Sequence, residues 1–186
     1  KRQDIIDYVC KNLSNNIFES AEDLNNLVDT NIYLHDISFK LNNDLYEETG
    51  YYNFSSLSGS DANEGALKLS AAYHKLKGNN KSKIISFDGS YHGSTYLNYS
   101  MGDESIFSNP FYNMPRPDFI ERIRHEDLTK IKWNDVMCLI IEPWQWAVGS
   151  PGPSAKFWDT LKTIRTTYDV LIIIDDIFTG GGKTGD

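Results

Sequence analysis

The residues best placed to do chemistry lie in the last stretch, VLIIIDDIFTGGGKTG (170–185), where an apolar run leads directly into Asp175 and Asp176 and then a glycine-rich loop. Open parallel sheets bind ligands beyond the carboxyl ends of their strands, so a carboxylate delivered there suits a cationic group. A second run, VMCLIIEP (136–143), also ends in an acid, Glu142. Two acids at two strand ends need not form a site, and upstream segments must decide. The segment SLSGSDANEGALKLSAAYHKLKG (56–78) reads as a tight turn opening a helix of about four turns that ends at Gly78. Asp61 and Glu64 have capping-box spacing, and Ala62, Ala66, Leu69 and Tyr73 supply a face of helical period. With Gly59 and Ser60 at its start, the helix offers free N–H groups and a positive dipole end, which suits a phosphate, although most such starts bind only water. In KIISFDGSYHGSTYLNYS (83–100), Ile84 to Phe87 form a short strand before Tyr91, His92 and Gly93. A tyrosine beside glycine can stack on a heteroaromatic ring; the plainer reading is a core tyrosine and a turn histidine.

These elements imply an order in space. Between the two acid-ended strands, Phe157, Leu161, Ile164 and Tyr168 mark a helix with one buried face. A strand-helix-strand unit crosses over right-handed, which makes its strands parallel and brings Glu142 and Asp175 to the same sheet edge. The expected fold class is α/β: three α/β/α layers around a mainly parallel sheet.

In this order, SGSDANEGALK, YHGST, IIEPWQ and DDIFTGGGKTG closely resemble the motifs of the class III aminotransferases, fold type I pyridoxal-phosphate enzymes. The resemblance covers about residues 55 to 186, and a cofactor-binding large-domain portion is expected there. Residues 1–54 are expected to be an N-terminal helical or irregular segment. Ile5, Val9, Leu13 and Ile17 suggest an amphipathic helix within it, and in the family this region borders the active site and the partner subunit.

The resemblance implies pyridoxal 5′-phosphate as cofactor and assigns roles. Gly59 and Ser60 correspond to residues that hold its phosphate, Tyr91 to the residue stacked on the pyridine ring, and Ile177 to the aliphatic residue on the opposite face. His92 and Gly93 shape the turn. Asp175 corresponds to the acid paired with the pyridine nitrogen, the central catalytic contact, since an ionised neighbour keeps that nitrogen protonated and the ring an electron sink. Glu142 and Asp176 correspond to carboxylates that support this set, and Gln145 to a family glutamine. The implied reaction moves an amino group from an amine or amino acid to a keto acid, ketone or aldehyde.

The sequence departs from the pattern in informative places. Trp146 stands where a glycine is usual, Phe178 where many members place a glutamine near the cofactor's phenolic oxygen, and Lys183 replaces an arginine. No lysine here matches the family's Schiff-base lysine, which lies downstream of the Asp-Glu block. A partial chain is therefore expected, starting as it does without methionine and ending straight after a motif. A noncatalytic cofactor-binding relic or interaction module is the alternative. A nucleotide-binding P-loop is disfavoured because its first glycine would fall on Ile177.

Composition bounds the rest. A net charge of −8 over 186 residues disfavours nucleic acid and anionic membranes as partners. Cys10 and Cys138 give neither a disulfide framework nor metal spacing, so no metal and a cytoplasmic setting are expected, with Cys138 simply buried. No apolar run approaches the roughly 20 residues of a membrane span. Homodimerisation is implied by the family. Residues 101–118 read as a long surface loop, and His125 as solvated surface.

Overall fold

The computed structural model describes residues 46–47, 50–103, 115–149, 152–181 and 183. The expected helix around 4–17, the segment 31–45 and most of the 101–118 loop lie outside the described residues. By its contacts the chain divides into two compact units, Lys1–Ser55 and Ser56–Asp186, and the architecture below belongs to the second.

Its centre is a four-stranded sheet in which β1 (Lys83–Phe87), β2 (Ile120–Ile123), β3 (Val136–Ile141) and β4 (Leu171–Ile174) run in the order β2-β1-β3-β4. Every neighbouring pair is parallel. The register Ile141↔Ile174 aligns the ends of β3 and β4, so the residues that follow, Glu142 and Asp175, leave the same edge. The backbone N–H of Asp175 still bonds the Ile141 carbonyl at 2.8 Å, which keeps the acid in the line of the sheet.

Both faces of the sheet are covered, and this explains why β3 is continuously apolar and fully buried. On one face Ile85, Phe87, Val136, Leu139 and Ile141 pack with Phe157, Leu161 and Ile164 of α3 (Ala155–Tyr168). On the other, Ile84, Cys138 and Ile140 pack with Leu67 of α1 (Gly59–Leu76) and Met101 of α2 (Tyr96–Met101). This is the three-layer α/β/α arrangement. Cys138 is buried as expected, and burial pushes its thiol up to about 12, partly offset by Ser70.

Four sequence expectations are corrected. The cap of α1 is Ser58, whose hydroxyl accepts from the Asp61 N–H at 3.1 Å, while Asp61 Oδ2 reaches back to the Leu57 N–H at 3.3 Å. The box therefore sits three residues upstream of the Asp61–Glu64 reading. The inward face of α1 is Asn63, Leu67, Ser70 and His74 rather than 62, 66, 69 and 73, and Leu69 is 67% exposed. Its polar members are buried because each has a partner: Asn63 bonds the His92 carbonyl, Ser70 that of Ala66, and His74 that of Met137. Tyr168 is exposed at the last turn of α3, just before Asp169 leaves the helix in the left-handed conformation, φ 52°. His125 is no solvated residue; its ring is partly buried against Phe87 and Phe157, at 4.7 and 5.0 Å, and burial lowers its pKa.

Because Leu161 is 1% exposed at the centre of the α3 layer, Leu161→Ala should cost about 2–5 kcal/mol through lost contacts and a residual cavity. Urea unfolding checks this, with Leu69→Ala as a control expected to fall within about 0.5 kcal/mol of the parent.

Candidate active site

Three segments converge beyond the strand ends. The first is the start of α1, where Ser58 takes the Asp61 N–H and leaves those of Gly59 and Ser60 at the positive helix end. The second is the turn after β1, and the third follows β4. Together with Trp146 from the segment after β3 they form a cleft of about 280 Å³, just below the roughly 300–1,000 Å³ of small-molecule sites. Gly59, Ser60, Tyr91, His92, Gly93, Asp175 and Ile177 all line it, as do Asn63, Trp146 and Phe178.

The turn is fixed by polar groups. Gly89 adopts φ +80° and donates its N–H to Asp103 Oδ2 at 2.7 Å, while Arg122 pairs with Asp88 at 2.9 Å and donates to the Gly102 carbonyl at 2.8 Å. Buried Gln145 donates to the Asp88 carbonyl at 2.8 Å and to Ser90 Oγ at 3.0 Å. Glu142 does not line the cleft. It lies beneath, 2% exposed, and its Oε1 accepts the Tyr91 N–H at 2.8 Å. Burial, opposed by that N–H and reinforced by the charge of Asp175, pushes Glu142 up to about 7.

Gly93 joins turn and helix. Its φ is +120°, and a Cβ there would stand 2.0 Å from Ser60 Oγ and 3.2 Å from Ser60 Cα. Only glycine permits this approach. The Ser94 N–H reaches Ser60 Oγ at 3.3 Å, and Ser94 Oγ lies 3.0 Å from the Tyr91 hydroxyl.

Asp175 is the ionic centre of the cleft. Its side chain is 8% exposed, and its Oδ2 lies 2.9 Å from His92 Nδ1 and accepts from Asn63 Nδ2, also at 2.9 Å. Burial alone would raise its pKa, but the bonds from His92 and Asn63, the His92 charge and the Ile177 N–H outweigh burial and hold it below the usual carboxylate value. Asp176 points elsewhere: it organises the following turn, its carbonyl accepting from the Gly180 N–H at 2.7 Å and its carboxylate from the Thr179 hydroxyl. Lys183 donates to the Ile177 carbonyl.

One wall is aromatic. Trp146 and Phe178, 41% and 50% exposed, stack at 5.1 Å and 30°, and Trp146 meets Tyr91 edge-on at 6.0 Å. Two of the three departures noted in the sequence are thus in contact with each other. The cleft therefore presents N–H and hydroxyl donors at the helix tip, an ionised acid, and flat apolar surfaces between, a donor set fitted to a phosphorylated, nitrogen-bearing aromatic ring. Asn63 was not singled out in the sequence; a lone asparagine in a helix that otherwise reads as an alanine-leucine face was the available signal.

The class-III aminotransferase family model matches residues 14–186, beginning upstream of the motifs noted above. The chain belongs to the class III aminotransferases. Among curated relatives, it is 35% identical over 137 residues to the acetylornithine aminotransferase of Vibrio cholerae, covering 72% of this chain and 34% of that protein. It is 37% identical over 136 residues to the acetylornithine/succinyldiaminopimelate aminotransferase of Buchnera aphidicola, covering 71% and 33%. This class III chain thus spans about a third of the length of the relatives it matches. Its fold is shared with an amine transaminase from an uncultivated Pseudomonas species solved with PLP bound, at TM-score 0.65 and 22% identity over 76% of this chain and 38% of that one. Class III aminotransferases use pyridoxal phosphate.

Two outcomes test this geometry. Gly93→Ala should destabilise the fold by about 1–3 kcal/mol, because the new Cβ meets helix backbone as well as a side chain; an unchanged melting temperature would contradict the packing. For Glu142, the native state holds a proton more tightly than an unfolded glutamate does, about 7 against 4.5. Stability is therefore lost as pH rises from 4.5 towards 7. Glu142→Gln, whose amide oxygen can still accept the Tyr91 N–H, should remove that loss, with a gain on the order of 2–3 kcal/mol above neutrality and little near pH 4. Parallel stability-versus-pH curves for parent and variant would be the contrary result.

Proposed function

We propose that this chain forms the cofactor-holding part of a PLP-dependent transaminase that moves an amino group from an amino acid or amine to a keto acid, ketone or aldehyde. The observation that carries this reading is the single cleft shared by the α1 tip, Tyr91, Asp175 and Ile177. In it, the N–H groups of Gly59 and Ser60 and the Ser60 hydroxyl hold the phosphate. Tyr91 and Ile177 flank the ring, with His92 and Gly93 setting the turn that presents Tyr91. Asp175 keeps a proton on the pyridine nitrogen, and its depressed pKa makes it a lasting anion for that purpose. Bound pyridoxal phosphate supplies the electron sink for bond cleavage next to the amino group. Glu142 contributes from below, tying Tyr91 to the end of β3.

The aromatic wall of Trp146 and Phe178 gives one side of the cleft an apolar surface and offers no hydrogen-bonding amide there. None of the described lining residues is a lysine, and in this reading the lysine that carries the cofactor is supplied from elsewhere in the polypeptide. We further propose a cytoplasmic homodimer acting on small amines, amino acids and keto acids, with neither nucleic acid nor membrane as partner. The net charge of −8 disfavours nucleic acid and anionic membranes, and no described helix is long and apolar enough to cross a membrane.

The test is titration of the dialysed full-length protein with PLP, followed by absorbance, alongside an amino-transfer assay with an amine donor and a keto acid. Saturable binding is expected, weakened at least about tenfold by Asp175→Asn with transfer abolished. Equal PLP affinity and turnover in parent and Asp175→Asn would refute the assignment.

A further inference from the structure

The Asp175 carboxylate has a second neighbour that is neither charged nor part of the proposed cofactor contacts. Asn63, 7% exposed on the first turns of α1, uses its one NH2 group twice: towards Asp175 Oδ2 at 2.9 Å and towards the His92 carbonyl at 3.0 Å. Its partners lie 29 and 112 residues away in sequence. A primary amide can satisfy two acceptors at once without bringing a charge. A lysine or arginine here would compete for Asp175 as an ion pair, a carboxylate would repel it, and a hydroxyl has only one hydrogen to give.

We propose that Asn63 is a positioning residue, a neutral double donor that locks the Asp175 carboxylate and the His92 backbone to the tip of α1. This rests on the PLP reading above only for the identity of what Asp175 faces. The consequence is orientational. Oδ2 is claimed jointly by Asn63 and His92, so the plane of the carboxylate is fixed, and the acid that meets the ligand is tied to the same helix turn that offers N–H groups at Gly59 and Ser60. The groups acting on Asp175 are few: His92 and Asn63 by direct contact, the Ile177 N–H from its own loop, and Glu142 through space.

The experiment compares Asn63→Leu, which removes both donors, with Asn63→Ser, which retains one, in the full-length protein. Carboxyl 13C NMR of the apoprotein reads the Asp175 titration, and PLP affinity is measured separately by absorbance. Asn63→Leu should raise the Asp175 midpoint by about one pH unit and weaken PLP at least about tenfold, with Asn63→Ser between parent and Leu. A purely structural role would lower the melting temperature of both variants and leave the midpoint in place, and that result overturns the proposal. Should Asn63→Leu not fold, the Asn63→Ser midpoint decides alone, since an unchanged value there is equally contrary. If the parent binds no PLP while the midpoint still moves, the transaminase reading falls and the positioning role of Asn63 stands.

Discussion

The site is organised around one buried oxygen, Oδ2 of Asp175, which meets His92 and Asn63 at 2.9 Å each. Burying a carboxylate is costly unless it is paired and hydrogen-bonded. Here its partners come from the turn after β1 and from α1, so satisfying the acid requires three distant segments to meet. The parallel register of β3 and β4 does the remaining alignment by ending both strands at one edge. Removing the acid would leave Asn63 and His92 to find other partners in a site where His92 Nε2 already has none.

Around that centre, polar groups take over from apolar packing. Layers above and below the sheet are held by apolar side chains, but the 88–91 turn is held by Gln145, Asp103, Arg122 and Glu142. Hydrogen bonds are directional where hydrophobic contacts are not. That contrast gives the turn carrying Tyr91 a fixed geometry. It also leaves two buried or nearly buried carboxylates with opposite behaviour: Asp175 is held below its usual pKa by donors, while Glu142, with one N–H and a like charge nearby, is raised.

Much of this was legible in the sequence because it follows from periodicity. The run of six apolar residues in β3, the spacing of Phe157, Leu161 and Ile164, and the acids after two strands fix the sheet, one layer and its active edge. The inward face of α1 was not legible by that logic. Hydropathy favours Leu69 over Asn63 and His74, yet the latter two are buried because partners far along the chain satisfy them. The same blindness applies to His125, whose ring is partly covered by Phe87 and Phe157. Side-chain hydrogen bonds across about a hundred residues leave no local pattern, and Asn63 is the residue for which this mattered most. The contact between Trp146 and Phe178 is another case: both were noticeable singly, and only the fold shows them as a pair.

The cleft draws on residues 58–63, 91–93, 146 and 175–178, and its acid follows the last of the four strands. During synthesis the helix tip and the turn therefore emerge from the ribosome well before the carboxylate, and for the length of that interval both lack the acid that completes the cleft. The cleft is thereby complete only in chains that have already laid β4 alongside β3.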